Sequence, residues 1–329
     1  MSVLARTVVQ PLQNVASSVR DSNTWPVLKK LFTLAFFGLL AYLIGKQAMT
    51  IEWGKVLEAF RSNEPVTFVI AAALALCCFS AYASYDLIGR YLLGVKLHPA
   101  KTWLVSILSY AFNLNLSSLV GGVAFRYRLY SRFDVRASEV TKIIGISVAT
   151  NWLGYLLLAG ILFSSGQIDV PANWAISDQM LQALGVVFVV VVLAYLGLCV
   201  FRQGHEYRIK SLNVTVPSVR LAAVQLLLAC LHWTLMASVI YTFFWGEVSF
   251  ALVYAVLLVS AVAGAVTHIP GGLGVLEAVF VALLSAKLDK AQILGGLFAY
   301  RCVFYLLPLA LATPVYLGLE ASVGTRDKN

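Results

Sequence analysis

Three ionisable residues, Asp86, Glu277 and Arg301, stand inside long apolar runs. If those runs span a bilayer, each charge costs at least about 2.5–3.5 kcal/mol at the centre and needs a partner or a ligand. Arg90 follows Asp86 by one helical turn, a spacing at which the two can pair. The expectation for Asp86 and Arg90 is a structural ion pair at a membrane rim, with a substrate role as the alternative. Glu277 follows the Pro270–Gly274 interruption by one turn, and Arg301 falls near the middle of the last apolar run. Each is isolated in sequence, so the two neutralise one another or meet opposite charge on a ligand. A purely structural Glu277–Arg301 pair is the competing reading.

The densest polar feature is Arg126, Tyr127, Arg128, Leu129, Tyr130, Ser131, Arg132. Arginine offers a planar fork of donors to phosphate, and tyrosine suits the membrane interface. Lipid-headgroup contact explains the use of Arg; simple retention of a basic loop on one side explains the charge. Asn113, Asn115, Ser117 and Ser118 interrupt another apolar run, where they line a polar path or satisfy backbone freed at a turn. Gly271 and Gly272 would present backbone N–H groups to an anion such as phosphate. His268 lies in the same interruption and is a better candidate ligand than His232, which should hydrogen-bond a neighbour. One histidine without nearby Cys, Asp or His is no metal site. Phosphate-binding loops, H-E-x-x-H and G-x-S-x-G are missing. No catalytic residue, metal or cofactor is expected.

These residues are carried by a chain of 329 residues that is 60% apolar and only 12% charged, with a mean hydropathy of +0.84. A soluble domain carries about 25% charged residues. The composition excludes a soluble enzyme and a nucleic-acid-binding domain and leaves an all-α polytopic membrane protein. The formal charge of +9 then reads as loops beside anionic lipid. The five cysteines sit in apolar runs without a C-x-x-C pair and read as buried small residues.

Apolar runs give crossings at 31–45, 66–89, 143–163, 180–201, 221–244 and 291–318, and interrupted segments at 103–125 and 250–286. Residues 1–30, 90–101, 126–142 and 202–220 hold 4, 3, 5 and 4 Lys plus Arg, whereas 164–179 and 245–249 hold none. The positive-inside rule places the former in the cytoplasm and the latter outside. Residues 46–64 fit outside, with an interfacial helix through Ile51, Trp53, Val56, Leu57 and Phe60. Both flanks of 103–125 are basic, so that segment should dip into the membrane and return. Segment 250–286 should do the same from the outer side, although Lys287 and Lys290 then lie outside.

A shift of 150 residues lays Gly121-Gly122 on Gly271-Gly272 and Tyr155-Leu156-Leu157 on Tyr305-Leu306-Leu307. The expected architecture is six spanning helices plus two re-entrant helical hairpins in an inverted repeat. Its parts are a cytoplasmic segment 1–30, a first repeat 31–168, a second repeat 180–318 and a cytoplasmic tail 319–329. An odd number of crossings per half inverts the halves, a transporter architecture. Arg126, Arg128, Glu277 and Arg301 are expected to line one polar cavity.

Two stretches carry a resemblance: Asn115-Leu116-Ser117-Ser118-Leu119-Val120-Gly121-Gly122 running into Arg126-Tyr127-Arg128-Leu129-Tyr130, and His268 through Ala278 with its Pro270-Gly271-Gly272-Leu273-Gly274 core. They resemble the paired hallmarks of the lysylphosphatidylglycerol synthase/flippase transmembrane family. Thr150-Asn151-Trp152-Leu153-Gly154-Tyr155 is also similar to stand-alone members from bacterial inner membranes, which adds Asn151 to the candidates. The resemblance implies a multi-pass protein of the bacterial inner membrane whose partner is phospholipid, not nucleic acid. Larger members add a soluble domain that transfers lysine from aminoacyl-tRNA to phosphatidylglycerol. With the chain ending about ten residues after its last helix, that transfer is not expected. What is implied is movement of an anionic or lipid-linked phospholipid across or out of the membrane; the alternative is a membrane-embedded transferase or an accessory subunit acting on lipid-linked substrates.

Overall fold

A computed structural model describes residues 53–116, 122–166, 177–209, 212–267, 269 and 272–324. The expected first crossing, 31–45, and the residues Gly121, His268 and Gly271 lie outside the described residues. The helices are α1 (Trp53–Arg61), α2 (Pro65–Leu92), α3 (Pro99–Asn115), α4 (Phe125–Ser131), α5 (Ala137–Ser164), α6 (Asp178–Phe201), α7 (Val219–Tyr241), α8 (Phe250–Thr267), α9 (Val275–Leu284), α10 (Lys290–Arg301) and α11 (Leu307–Gly324). A 3₁₀ turn, Thr242–Phe244, extends α7, and a π turn, Cys302–Leu306, joins α10 to α11.

The membrane-spanning part is all-helical, as expected, and one short strand pair accompanies it. Strands β1 (Glu206–Ile209) and β2 (Leu212–Thr215) form an antiparallel hairpin between α6 and α7. This segment is polar, lies outside the apolar runs, and pairs its backbone locally instead of continuing a helix.

Among the described residues, six helices are long and apolar enough to cross a membrane: 65–92, 137–164, 178–201, 219–244, 250–267 and 290–321. Five coincide with expected crossings. The other, α8, forms the first limb of the second interrupted segment. The long helices start where local chemistry favours it. Pro65 and Pro99 occupy first-turn positions that need no N–H donor. Ser177 and Ser218 cap α6 and α7 by accepting from the backbone N–H of Met180 and Leu221.

Small residues set the closest helix contacts. A methyl group at Gly154 of α5 would lie 2.3 Å from the Ala229 Cβ of α7. One at Gly185 of α6 would lie 2.5 Å from the Ser164 backbone nitrogen. Such approach of backbones is how membrane helices gain van der Waals contact without a hydrophobic driving force between them. Helix α6 and the 290–321 run are the least buried of these spans, and α6 presents Val186, Val187, Val190, Leu193 and Phe201 outward. Helix α1 is more than an interfacial helix: Val56 is buried, and the Phe60 ring packs edge-on against Phe68 and Phe298.

In both interrupted segments, residues before and after the interruption lie close to one another. The Phe112 and Phe125 rings stack at 4.1 Å, so α3 and α4 fold back on each other. Lys101, near the start of α3, lies 5.0 Å from the ring of Phe133, just past α4. At the opposite end of α2, a cavity of about 310 Å³ is lined by Asn63, Glu64, Trp245, Glu247, Leu288 and Gln292, among others. The turns before α8 and after α9 therefore meet beside the same cavity, and α8 packs along α9. Helix boundaries also recur. Shifted by 150, α3 starts one residue from α8, α4 on the first residue of α9, and α5 three residues from α10.

Candidate functional site

The last helical run changes its register directly after Arg301. The π turn Cys302–Leu306 directly follows Arg301, a type of local widening common where a helix carries function. Arg301 donates from Nε and Nη2 to the Glu277 carboxylate, the latter at 3.1 Å. It also donates from Nη2 to the Gly272 carbonyl at 3.1 Å. Its guanidinium lies 5.0 Å from the Tyr305 ring. Glu277 in turn accepts from the Gly274 backbone N–H at 2.9 Å, satisfying an orphan donor at the start of α9. Gly274 has φ 79°, which a side chain would oppose. The pair is only partly buried, 13% exposed at Arg301 and 23% at Glu277.

The first hairpin reaches the same turn. Asn115, at the end of α3, donates its amide to the Tyr305 carbonyl at 3.1 Å and to the Ala111 carbonyl at 2.8 Å. In a π turn some carbonyls lose their regular helical donors, and a side-chain amide can take that place. Gly272 from one interruption and Asn115 from the other thus both contact the Arg301–Leu306 stretch.

A second ion pair is fully enclosed. Asp86 accepts from Arg126 Nε and Nη2, each at 3.0 Å, from Tyr130 Oη at 2.9 Å and from Ser147 Oγ at 2.5 Å. Exposure is 3% at Arg126 and nil at Asp86. This corrects the expected Asp86–Arg90 pair. Arg90 lies at the end of α2 and donates to the Leu97 carbonyl of the following turn, while the fold-back of α4 carries Arg126 to Asp86. Four donors on one carboxylate remove the reason for the charge to seek a ligand.

The expected single cavity of four charged residues also changes. Arg126 is engaged by Asp86, and Arg128 by Glu320 of α11 at 3.1 Å. Glu277 and Arg301 come together; the two arginines of α4 are held by other acids. Tyr130 belongs to the Asp86 centre. Asn151 is half-buried, and its backbone carbonyl accepts from the Trp233 indole at 3.3 Å. Gly272 is part of the Arg301 site.

Rings join the two centres. The Arg126 guanidinium lies 5.4 Å from the Tyr82 ring, and Tyr82 stacks on Tyr110 at 3.8 Å. Phe79 then lies 4.8 Å from Tyr110 and 5.5 Å from Phe304, next to Tyr305. His232 behaves as expected of a buried histidine, close to Tyr110 Oη at 3.4 Å and to the Cys78 carbonyl at 3.3 Å. Among the described residues, no group of three or more His, Cys, Asp or Glu could hold a metal ion.

Sequence reasoning missed Ser147 and Glu320. The i,i+4 spacing of Gly122, Arg126 and Tyr130 was the available signal for one buried face on α4; nothing local marks Ser147 or Glu320.

Relatives align with most of this chain. Residues 30–312 match the family described as the lysylphosphatidylglycerol synthase TM region. The chain is 39% identical over 298 residues to the inner membrane protein YbhN of Escherichia coli strain K12, covering 90% of this chain and 94% of that one. It is 28% identical over 302 residues to the Synechocystis protein slr0712, covering 88% and 92%. It is 23% identical over 303 residues to a phosphatidylglycerol lysyltransferase of Staphylococcus haemolyticus, covering 87% of this chain but 33% of that longer one. The apolar helices and these matches together make the chain a multi-pass inner-membrane protein that belongs to the lysylphosphatidylglycerol synthase transmembrane-region family.

Proposed function

We propose that this protein moves an anionic or lipid-linked phospholipid across or out of the inner membrane, and that Glu277 and Arg301 handle its headgroup. The observation that carries this reading is the partly exposed Glu277–Arg301 pair, set where α9 begins and where both interruptions converge. A buried pair serving packing alone gains nothing from exposure, and replacing such pairs by apolar residues is often neutral. Supporting features are the two fold-back segments and the recurrence of helix boundaries at 150 residues. We infer that the fold-backs are re-entrant hairpins and that the halves form an inverted repeat, with broken helices aiming at a midplane site as in secondary transporters. Transport is preferred over a transferase because the Glu277 carboxylate is taken up by Arg301 and a backbone N–H, whereas catalysis on a lipid-linked substrate calls for a second acid or a base beside it.

The test is reconstitution into vesicles with labelled phospholipids of different headgroups. Glu277→Gln and Arg301→Ala are each expected to abolish lipid movement while the protein stays folded. Recovery of movement in a Glu277→Leu/Arg301→Met double variant would leave the pair as scaffolding and end this reading.

A further inference from the structure

At the end of the bundle that carries the basic loops, two guanidinium groups converge on one carboxylate. Arg128 donates from Nε and Nη2 to the two oxygens of Glu320, at 3.1 and 3.2 Å. Arg132 pairs with the same carboxylate and donates from Nη1 to the Leu319 carbonyl at 2.7 Å. Tyr316 Oη donates to Glu320 at 2.8 Å. Two cations share one anion, which leaves one positive charge unmatched among the described residues. The Arg132 Nε is buried without an acceptor among the described residues, a state that disfavours the site as it stands. Arg128 is 61% exposed, so its remaining donors face outward.

A planar fork closing on two oxygens is the geometry by which arginine takes phosphate. We propose that Arg128 and Arg132 form a binding site for the phosphate of an anionic lipid in the adjoining leaflet, and that Glu320 occupies this site as an internal stand-in that the phosphate displaces. A phosphate brings more acceptor oxygens than a carboxylate and can also reach the Arg132 Nε. The lipid, not a soluble anion, is the occupant because apolar surface adjoins the site. Leu317, one turn before Glu320, and Leu311 and Val315 farther along α11 are exposed, and Phe112, Phe125 and Tyr316 pack together beside them. Exposed Arg136, Lys101 and Lys142 sit near the same end, where basic side chains gather anionic lipid.

The site deepens the proposed function by giving the lipid a point of capture, yet binding can be measured without transport. The full chain in detergent is titrated with phosphatidylglycerol, with phosphatidylcholine and with inorganic phosphate, and binding is read from the thermal midpoint and from intact-complex mass spectra. Glu320→Gln is expected to tighten phosphatidylglycerol binding about threefold, the order set by removing one exposed competing ion pair. Glu320→Asp keeps the charge but withdraws the carboxylate, and should tighten binding in the same direction. Adding Arg128→Gln and Arg132→Gln to Glu320→Gln should remove the gain. The unliganded midpoint of each variant reports folding. Unchanged or weaker binding in Glu320→Gln overturns the proposal. A gain in Glu320→Gln but none in Glu320→Asp reduces it to general electrostatics and also overturns it. Equal gain for phosphatidylcholine, or saturation of the site by inorganic phosphate alone, overturns the lipid assignment. Binding as expected in a protein that moves no lipid would refute the transport reading and leave this site standing.

Discussion

At the residue scale, the two internal ion pairs differ in what they leave open. Asp86 is saturated by Arg126, Tyr130 and Ser147, and the centre ties α2, α4 and α5 together. Asp86→Ala is expected to destabilise the protein by about 3–5 kcal/mol, because it strands a buried guanidinium. An Asp86→Leu/Arg126→Met double variant should regain most of that loss, read as the denaturant midpoint in detergent. If the single and double variants are equally damaged, the cost is packing, not charge. The sequence alone marked Asp86, Glu277 and Arg301, because a charge in an apolar run always demands an explanation. It also suggested the Glu277–Arg301 partnership, since the two stood unpaired. Partners 40 and 192 residues away, Arg126 for Asp86 and Glu320 for Arg128, carry no local signature. The nearby Arg90 offered a plausible i,i+4 answer that the turn after α2 defeats.

Elements were more legible than their contacts. Apolar runs marked the long helices to within a few residues, because lipid demands continuous internal hydrogen bonding over that length. Polar and glycine interruptions marked where the helices break, for the same reason. The β1–β2 hairpin and the π turn were not legible, as neither needs a distinctive composition. Glycine contacts decide how tightly the long helices approach, which gives a sharp comparison within α6. Gly185→Ala should cost about 1–3 kcal/mol by overpacking against Ser164. Gly197→Ala on the same helix meets nothing within 4 Å and should be neutral or slightly stabilising, since alanine is the better helix former. Denaturant titrations of the two variants measure the contrast; equal effects would refute the close α5–α6 contact.

For the whole molecule, the positions of the turns set a test of sidedness. Glu247 and Leu288 line one cavity, and Lys101 and Phe133 meet at the other end. In a chain with its native cysteines replaced, Glu247→Cys and Lys287→Cys should react with an impermeant thiol reagent from the outer face. Lys96→Cys and Asp134→Cys should react only after the cytoplasmic face is opened. Labelling of Glu247→Cys and Lys287→Cys from opposite faces would show that 250–286 crosses fully and would remove the hairpin from the architecture.

The bond from Asn115 to the Tyr305 carbonyl also has a consequence in time. Its two ends are 190 residues apart, and at about 5–20 residues per second of synthesis the asparagine waits about 10–40 s for its partner to be made. Asp86 and Arg126, 40 residues apart, are both made within about 2–8 s at the same pace. During biogenesis α4 is therefore tied to α2 long before Asn115 has its distant partner. Until then the Asn115 amide has only the Ala111 carbonyl of its own helix to bond, and a ribosome that stalls before Tyr305 leaves behind a chain in which α3 is not yet joined to the last helical run.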